Sequence, residues 1–370
     1  MVDLGAQIDA MGEKLRNTVF DVIDRHQFVL GPEVAQLEEA LASRTGAADV
    51  VTCANGTDAL VLALRALDLS PGDHVVVPAF TFAATAEAVV LAGGVPVFAD
   101  IRPDTFNIDA ESLRDHLPDG TTPQPVGVVA VDLFGHPALD ASVNQLAAEQ
   151  GWWVLVDAAQ SYGASFEGRR AGSLGSLATT SFFPAKPLGC FGDGGAVFCP
   201  DGSRGELLRS LRNHGAGVDR YENVRIGTNS RLDTLQAAVL LAKLDRYDEE
   251  HARRRELAAR YAAAFAGSPV VAPVETSGAV SAWAQYTVRV PRRDAVVEHL
   301  TAAGIGTSVY YRSTLADQAA FAGSPVLGDL SVARAVCADV VSIPIHPYLS
   351  DADQDRCIAA LLAAVDGCGA

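Results

Sequence analysis

Residues 178–197 read ATTSFFPAKPLGCFGDGGAV and hold a single lysine, Lys186, in a setting unlike that of a surface lysine. A β-type run over 179–183 leads into it, Pro184 and Pro187 flank it, and a glycine-dense turn (Gly189, Gly192, Gly194, Gly195) follows. An exposed lysine sits among polar groups on a solvated helix face. An apolar, conformationally restricted segment instead strips water from the ammonium, lowers its pKa and frees a nucleophilic amine, which is what an imine-forming lysine requires. Taken alone, the segment also suits a lysine that snorkels from a tight turn.

Two upstream stretches change that balance. GWWVLVDAAQSYGA (151–164) contains a buried strand over 152–156 that ends on Asp157. Such an apolar run suits a central parallel strand, and an acid at its carboxyl end points into the ligand crevice of an α/β sheet. In VVTCANGTDALVLAL, a strand (50–53), a small-residue turn (54–57) and a helix of regularly spaced apolar residues follow one another. The N–H groups at that helix start, with the Thr57 hydroxyl, form a site for a phosphate. Pyridoxal phosphate needs all three elements: a phosphate cradle, a lysine for its aldehyde, and a carboxylate against its pyridine nitrogen. Each signal is common in α/β proteins, but the ordered set specifies this cofactor.

The 370 residues, 49% hydrophobic and 20% charged, have the balance of a soluble enzyme with core enough for two domains. The 28 basic and 45 acidic residues leave a formal charge of −17, which opposes adsorption to nucleic acid or anionic membrane. An anionic substrate therefore needs a local basic pocket. Cys53, Cys190, Cys199, Cys337, Cys357 and Cys368 lack CxxC spacing, so buried free thiols in a reducing cytoplasm are expected, with no zinc site. No export signal or membrane-spanning run is expected either.

Amphipathic helices are expected over 8–24 and 32–43, the second opened by GPE and closed near Gly46. PGDHVVVPAFTFAATAEAVVLAGGVPVFADI and VGVVAVDLFG continue a β-α-β alternation, which predicts a mostly parallel sheet with helices on both faces. Phe82, just past a strand end, suits either a ring lying over a flat ligand or a core position. A helix is expected over 204–213. RIGTNSRLDTLQAAVLLAKL becomes an amphipathic helix, apolar at Leu235, Ala238, Val239 and Ala242, that runs on through ARRRELAARYAAAF with its charges on a solvated face. Asn229 and Arg231 precede that helix, where a guanidinium can serve a ligand or a helix-end ion pair. A composition shift over 265–281 leads to a smaller α+β unit, with strands in AQYTVRV, GTSVYYR and VVSIPIHPYL and a helix in DAVVEHLTAAG. We divide the chain into a large domain, 1–245, and a small one, 246–370. His346, between two prolines, suits a structural role better than a catalytic one.

CANGTDAL, PAFTFAATAEAV, PVFADIRPDTFNID, VDAAQSYGA, TSFFPAKPLGCFGDGGAVF, LRNHG and RIGTNSRLDTLQAAVL together resemble the DegT/StrS family of sugar-nucleotide aminotransferases, fold type I pyridoxal phosphate enzymes, over nearly the entire chain. The resemblance implies Lys186 as the imine lysine and proton carrier, Asp157 on the pyridine nitrogen, Gln160 beside the ring hydroxyl and Phe82 stacked on the ring. It implies Gly56, Thr57 and Ser181 at the phosphate, joined by Asn229 from the neighbouring subunit of a homodimer. Arg231, also from the neighbour, would face substrate or amino donor, and Tyr310 and Tyr311 the sugar.

Within the family, SFFPAKPLGCFGDGGA, NSRLDTLQAA, AQYTVRV and SIPIHPYL look most like enzymes that aminate UDP-linked 3-keto-glucuronates. The sugar loop departs from them: VYYRSTLADQ has Tyr310 where histidine is expected and no PxP segment. The resemblance thus implies amino transfer from L-glutamate to a nucleotide-linked keto-sugar, a 4-keto pentose or hexose being favoured and a 3-keto-glucuronate the alternative. A dehydratase of the same fold would carry histidine in place of Lys186. A regulator without turnover would retain the cofactor residues, and a nucleotide-dependent redox enzyme would need a GxGxxG fingerprint that the chain lacks.

Overall fold

The computed structural model describes residues 2–117, 123–219 and 221–367; Cys368 lies outside them. Helix α1 (Leu4–Arg25) starts on Asp3, whose carboxylate accepts the Ala6 N–H, and is interrupted at Gly12. Helix α2 (Pro32–Thr45) opens with proline in its first turn and closes on Gly46 in the left-handed region (φ 79°), the termination expected from the sequence.

The chain then alternates. It runs through β1 (Asp49–Cys53), α3 (Gly56–Ala66), β2 (His74–Pro78), α4 (Ala84–Leu91), β3 (Val95–Ala99), α5 (Ala110–Asp115), β4 (Pro125–Val131), α6 (Ala141–Gln150) and β5 (Trp153–Asp157). A short hairpin, β6 (Ser165–Phe166) and β7 (Arg169–Arg170), precedes β8 (Leu177–Ser181), β9 (Gly195–Cys199) and α7 (Gly205–Leu211). Seven strands form one sheet in the order β1-β9-β8-β5-β4-β2-β3. Only β9 runs against its neighbours, so the mostly parallel sheet is as expected. The period-2 alternation explains why both faces are covered: Val154 and Val156 of β5 join one apolar cluster, and Leu155 between them joins the other.

Beyond the sheet come α8 (Thr234–Leu244), α9 (Tyr247–Phe265), β10 (Ala279–Val280), which pairs with β6, β11 (Tyr286–Arg289), α10 (Arg293–Ala302), α11 (Ser331–Asp339), β12 (Val340–Ile343) and α12 (Asp351–Gly367). Strands β11 and β12 pair antiparallel over a separate cluster that includes Leu257, Tyr261, Val288, Val341 and Leu361.

Three expectations need correction. The long helix is two helices: the chain turns at Asp245–Arg246, with the Arg246 N–H on the Lys243 carbonyl, so that Tyr247 packs edge-on against Tyr162. Its charges are not all solvated, because α8 is buried nearly all round between α1, α2 and the lysine loop, and Lys243, Glu250 and Arg254 are buried. GTSVYYR is not a strand. Only Ser308 bridges to Ser342, while the Tyr311 ring leaves the ladder direction to pack on Phe80 at 5.6 Å.

One buried ion pair joins α2, β1 and the residue following α7. Arg212 Nη1 donates to Glu38 Oε1 at 2.5 Å and to the Thr52 carbonyl at 2.6 Å, and the same Glu38 oxygen accepts the Thr52 N–H at 2.9 Å. Removing one partner of such a pair strands the other charge away from water. Arg212→Met should lower the unfolding free energy by about 3–5 kcal/mol, and adding Glu38→Gln should recover part of the loss; urea unfolding of the variants measures both.

Candidate active site

A cleft of about 570 Å³ opens where β5 and β8 end and α3 begins. It brings together Lys186, Asp157, Gly56, Thr57, Phe82, Gln160, Ser181, Tyr310 and Tyr311, all expected from the sequence. Lys186 sits on a tight loop: its own N–H donates to the Phe183 carbonyl and the Cys190 N–H to the Phe182 carbonyl, both at 2.8 Å. The turn requires glycine at 189, where a Cβ would stand 2.5 Å from the Pro184 carbonyl oxygen. Helix α8 braces this loop from behind. Lys243 Nζ donates to the Gly189 carbonyl at 2.6 Å and lies 4.6 Å from the centre of the Phe191 ring, and burial pushes its ammonium down to about 8.

Burial also pushes the Lys186 ammonium below the ordinary lysine range, and the facing Asp157 carboxylate offsets part of that shift. The result is an amine more readily deprotonated than a surface lysine. Asp157 is buried, and burial raises its pKa. Its orientation is fixed by the Thr85 hydroxyl, which donates to Oδ2 at 2.9 Å, and by the Ala159 N–H, which donates to Oδ1 at 3.2 Å.

The α3 end of the cleft is shaped by close approach. Asn55 caps the helix by accepting the Asp58 N–H at 2.8 Å, and a Cβ on Gly56 would stand 2.7 Å from Ser181 Cβ. Glycine lets helix start and strand end meet, so that first-turn N–H groups lacking a helical acceptor stand beside the Thr57 and Ser181 hydroxyls. Phe82 is 56% exposed on the cleft wall, which excludes the core reading of that ring. Gln160 is oriented by the Phe134 N–H, which donates to its Oε1 at 2.6 Å.

Asn229 and Arg231 lie elsewhere. Arg231 Nη1 donates to Asn213 Oδ1 at 2.9 Å and lines a different cavity with Val29, Leu30 and Ile226, while the Asn229 backbone bridges to Asn213. His346 is buried away from the cleft, and burial pushes it down to about 4. The sequence reading missed Thr85 and Asn55, and Asp193, which lines the cleft. Asn55 carried a signal, an N-cap residue directly before a glycine-started helix; Thr85 and Asp193 carried none. Among the described residues, no three or more His, Cys, Asp or Glu side chains group to hold a metal ion.

The geometry fits pyridoxal phosphate. A cradle that a single Cβ would fill lies at one end, a buried carboxyl whose facing cation is Lys186 lies at the other, and an exposed aromatic ring stands on the wall between. An open α/β sheet with this set at its strand ends defines the fold type I class of pyridoxal phosphate enzymes. Residues 9–362 match the DegT/DnrJ/EryC1/StrS aminotransferase family. The chain is 42% identical to the UDP-2-acetamido-2-deoxy-3-oxo-D-glucuronate aminotransferase of Pseudomonas aeruginosa, over 97% of this chain and 98% of the relative. It is 38% identical to the dTDP-3-amino-3,4,6-trideoxy-alpha-D-glucose transaminase of Streptomyces venezuelae, over 97% and 94%. The solved structure of a DegT DnrJ EryC1 StrS aminotransferase from Brucella abortus superposes with a TM-score of 0.95, at 42% identity and 97% coverage of both chains. The chain belongs to the DegT/DnrJ/EryC1/StrS family of pyridoxal phosphate-dependent sugar aminotransferases.

A second acid, Asp132, is buried near Asp157, and burial together with the Asp157 charge pushes it up from 3.8 to about 7. Between those values the unfolded chain has released this proton while the folded chain keeps it. Stability from this group therefore falls as pH rises from about 4 to about 7 and then levels. Asp132→Asn removes the term. The melting temperature of the variant should gain on the wild type across that window and hold a constant difference above it, as paired thermal melts of the apoprotein will show.

Proposed function

We propose that the chain transfers an amino group from L-glutamate to the keto carbon of a nucleotide-linked sugar, and that the sugar is a neutral 4-keto hexose or pentose. The observation that carries the reading is the pairing of a desolvated Lys186 with the held carboxyl of Asp157 across one cleft. Pyridoxal phosphate, when bound, supplies an electrophilic carbon and a protonated ring that withdraws electrons. Asp157, held by Thr85 and Ala159, would face the ring nitrogen and favour its protonated form, and Phe82 would cover the ring face. Gln160, its oxygen engaged by Phe134, would stand beside the ring hydroxyl. Gly56, Thr57 and Ser181 would hold the phosphate. Lys186 Nζ would bind the aldehyde at rest and, freed by the amino donor, would carry a proton between adjacent carbons in both half-reactions.

The cleft of one protomer is short of cations: Lys186 is the one cationic side chain among its lining residues. A donor dicarboxylate and a sugar diphosphate need more positive charge than that. Arg231 stands instead beside the exposed apolar residues Val29, Leu30 and Ile226, a surface suited to a second copy of the chain, and Asn229 lies two residues before it. We therefore assign Asn229 to the partner's phosphate site and Arg231 to the partner's substrate, in a homodimer with shared sites. We take 1–245 as the cofactor domain and 246–370 as the smaller one; within the latter, Leu257, Val288, Ile305, Val341 and Leu361 share a separate apolar cluster, while Leu315, Phe321 and Val336 pack into a core of the large sheet. No helix among the described residues is long and apolar enough to cross a membrane, and we place the protein in the cytoplasm.

Tyr310 and Tyr311 give the sugar wall neutral phenols in place of charge, which favours a neutral sugar over a uronate. The 42% identity to the Pseudomonas aeruginosa enzyme favours the uronate as the second reading.

Lys186→Ala should abolish both the covalent adduct that borohydride fixes between protein and cofactor and turnover; full activity in that variant would overturn the assignment. Gly56→Val should weaken cofactor binding at least tenfold, about 1.4 kcal/mol, by filling the cradle, with fluorescence titration as the measure. A panel of UDP- and dTDP-linked 3-keto and 4-keto sugars, with and without a carboxylate, decides the substrate when assayed with glutamate. Selective use of a uronate refutes the neutral-sugar reading, and a bound cofactor that glutamate leaves unconverted refutes catalysis.

A further inference from the structure

Asp132 has no part in the chemistry above, yet its carboxyl joins the cleft-lining turn that carries Gln160 to the turn that follows β4. It follows β4 directly, is fully buried, and its N–H donates to the Asp157 carbonyl at 3.0 Å. Its carboxyl gathers donors from two separate turns, the Ala138 N–H at 2.7 Å and the Ser161 hydroxyl at 2.5 Å. Ser161 directly follows Gln160, whose side-chain oxygen in turn accepts the Phe134 N–H at 2.6 Å.

The turn over 132–138 has bonds of its own, from the Gly135 N–H to the Asp132 carbonyl at 3.2 Å and from the His136 N–H to the Leu133 carbonyl at 3.1 Å, and Phe134 and Gly135 lie in the left-handed region at φ 58° and φ 100°. The turn over 158–162 follows the neighbouring parallel strand at the same sheet edge. The Asp132 carboxyl, together with the Phe134 N–H on Gln160 Oε1, ties the two turns to each other.

We propose that Asp132 is a positioning residue of the cofactor site: by holding Ala138 and Ser161 together it fixes the turn that carries Gln160 and, through the same turn, the direction of the Asp157 carboxylate. The proposal rests on the reading of Gln160 and Asp157 as cofactor contacts. Truncating Asp132 leaves the Ser161 hydroxyl and the Ala138 N–H without an acceptor where water does not reach, and the two turns drift apart. Asparagine keeps the geometry, because its oxygen still accepts from Ala138 and its amide donates to Ser161 Oγ.

The test is a titration of the apoproteins with pyridoxal phosphate, followed by fluorescence and by the visible spectrum. Asp132→Ala should weaken binding by about tenfold or more, the scale seen when a second-layer partner is lost. Ser161→Ala should act in the same direction, and the double variant should bind no worse than Asp132→Ala alone, since Ser161→Ala removes a bond that Asp132→Ala has already lost. Asp132→Asn should stay within about threefold of the wild type. In turnover, the alanine variants should lose kcat while KM for the keto-sugar holds. Ser161→Ala carries the test if Asp132→Ala fails to fold by circular dichroism. Asp157→Asn and Gln160→Ala are the controls: if they bind the cofactor as the wild type does, the reading of the site fails. If they weaken binding while folded Asp132→Ala or Ser161→Ala does not, or if asparagine is as damaging as alanine, the positioning role is overturned.

Discussion

The structure depends on withdrawing one half-buried amine from part of its water while holding one buried carboxyl opposite it. Both groups are taken from solvent at a thermodynamic cost, and their facing charges offset only part of it. Neither could be placed so by a mobile surface loop. Asp157 is the last residue of a strand with neighbours on both sides, and Lys186 sits in a turn whose peptide groups are bonded internally. The parallel sheet makes this possible by presenting its strand ends together at one edge, with cores on both faces to resist displacement.

Close backbone approach is the second requirement, and glycine meets it where a side chain would not. Gly56 lets the start of α3 touch the end of β8, and Gly189 lets the lysine loop fold back on Pro184. Such turns hold little apolar surface of their own, so they borrow rigidity from outside. Lys243 supplies it to the lysine loop by a hydrogen bond to Gly189 and contact with Phe191. A lysine buried in this way explains why the sequence pattern of α8 reads as amphipathic although the helix is enclosed.

The legible part of the chain was the part governed by local rules. Strand periodicity, glycine turns and small helix starts put Lys186, Asp157 and Thr57 at the strand ends and helix start where they line one cleft, because those positions are set by the few residues on either side. The missed residues act across sequence distance. Thr85 reaches Asp157 from another helix, and no local pattern distinguishes a threonine that donates to a remote acid from one that faces solvent. The break between α8 and α9 failed for the same reason, since Tyr247 turns inward to meet Tyr162, a partner far off in the chain. The VYYR segment reads as a strand by composition, yet its aromatic rings find better burial against Phe80 than its backbone finds in a ladder.

Substrate choice follows a different physics from cofactor binding. The cofactor groups stand on strand ends and helix starts, whereas Tyr310 and Tyr311 reach the cleft from irregular chain whose course is set by ring packing. A charged sugar would need a cation within a few ångströms, because in a partly desolvated cleft an unpaired carboxylate loses more hydration than phenols return. The nearest arginine in sequence, Arg312, is exposed and already engaged by Asp294 at 3.3 Å. In the homodimer proposed above, the surface that carries Arg231 would bring the missing positive charge, and on a chain of net charge −17 that charge is scarce. Assembly of two copies and selection of an anionic donor would then be one event.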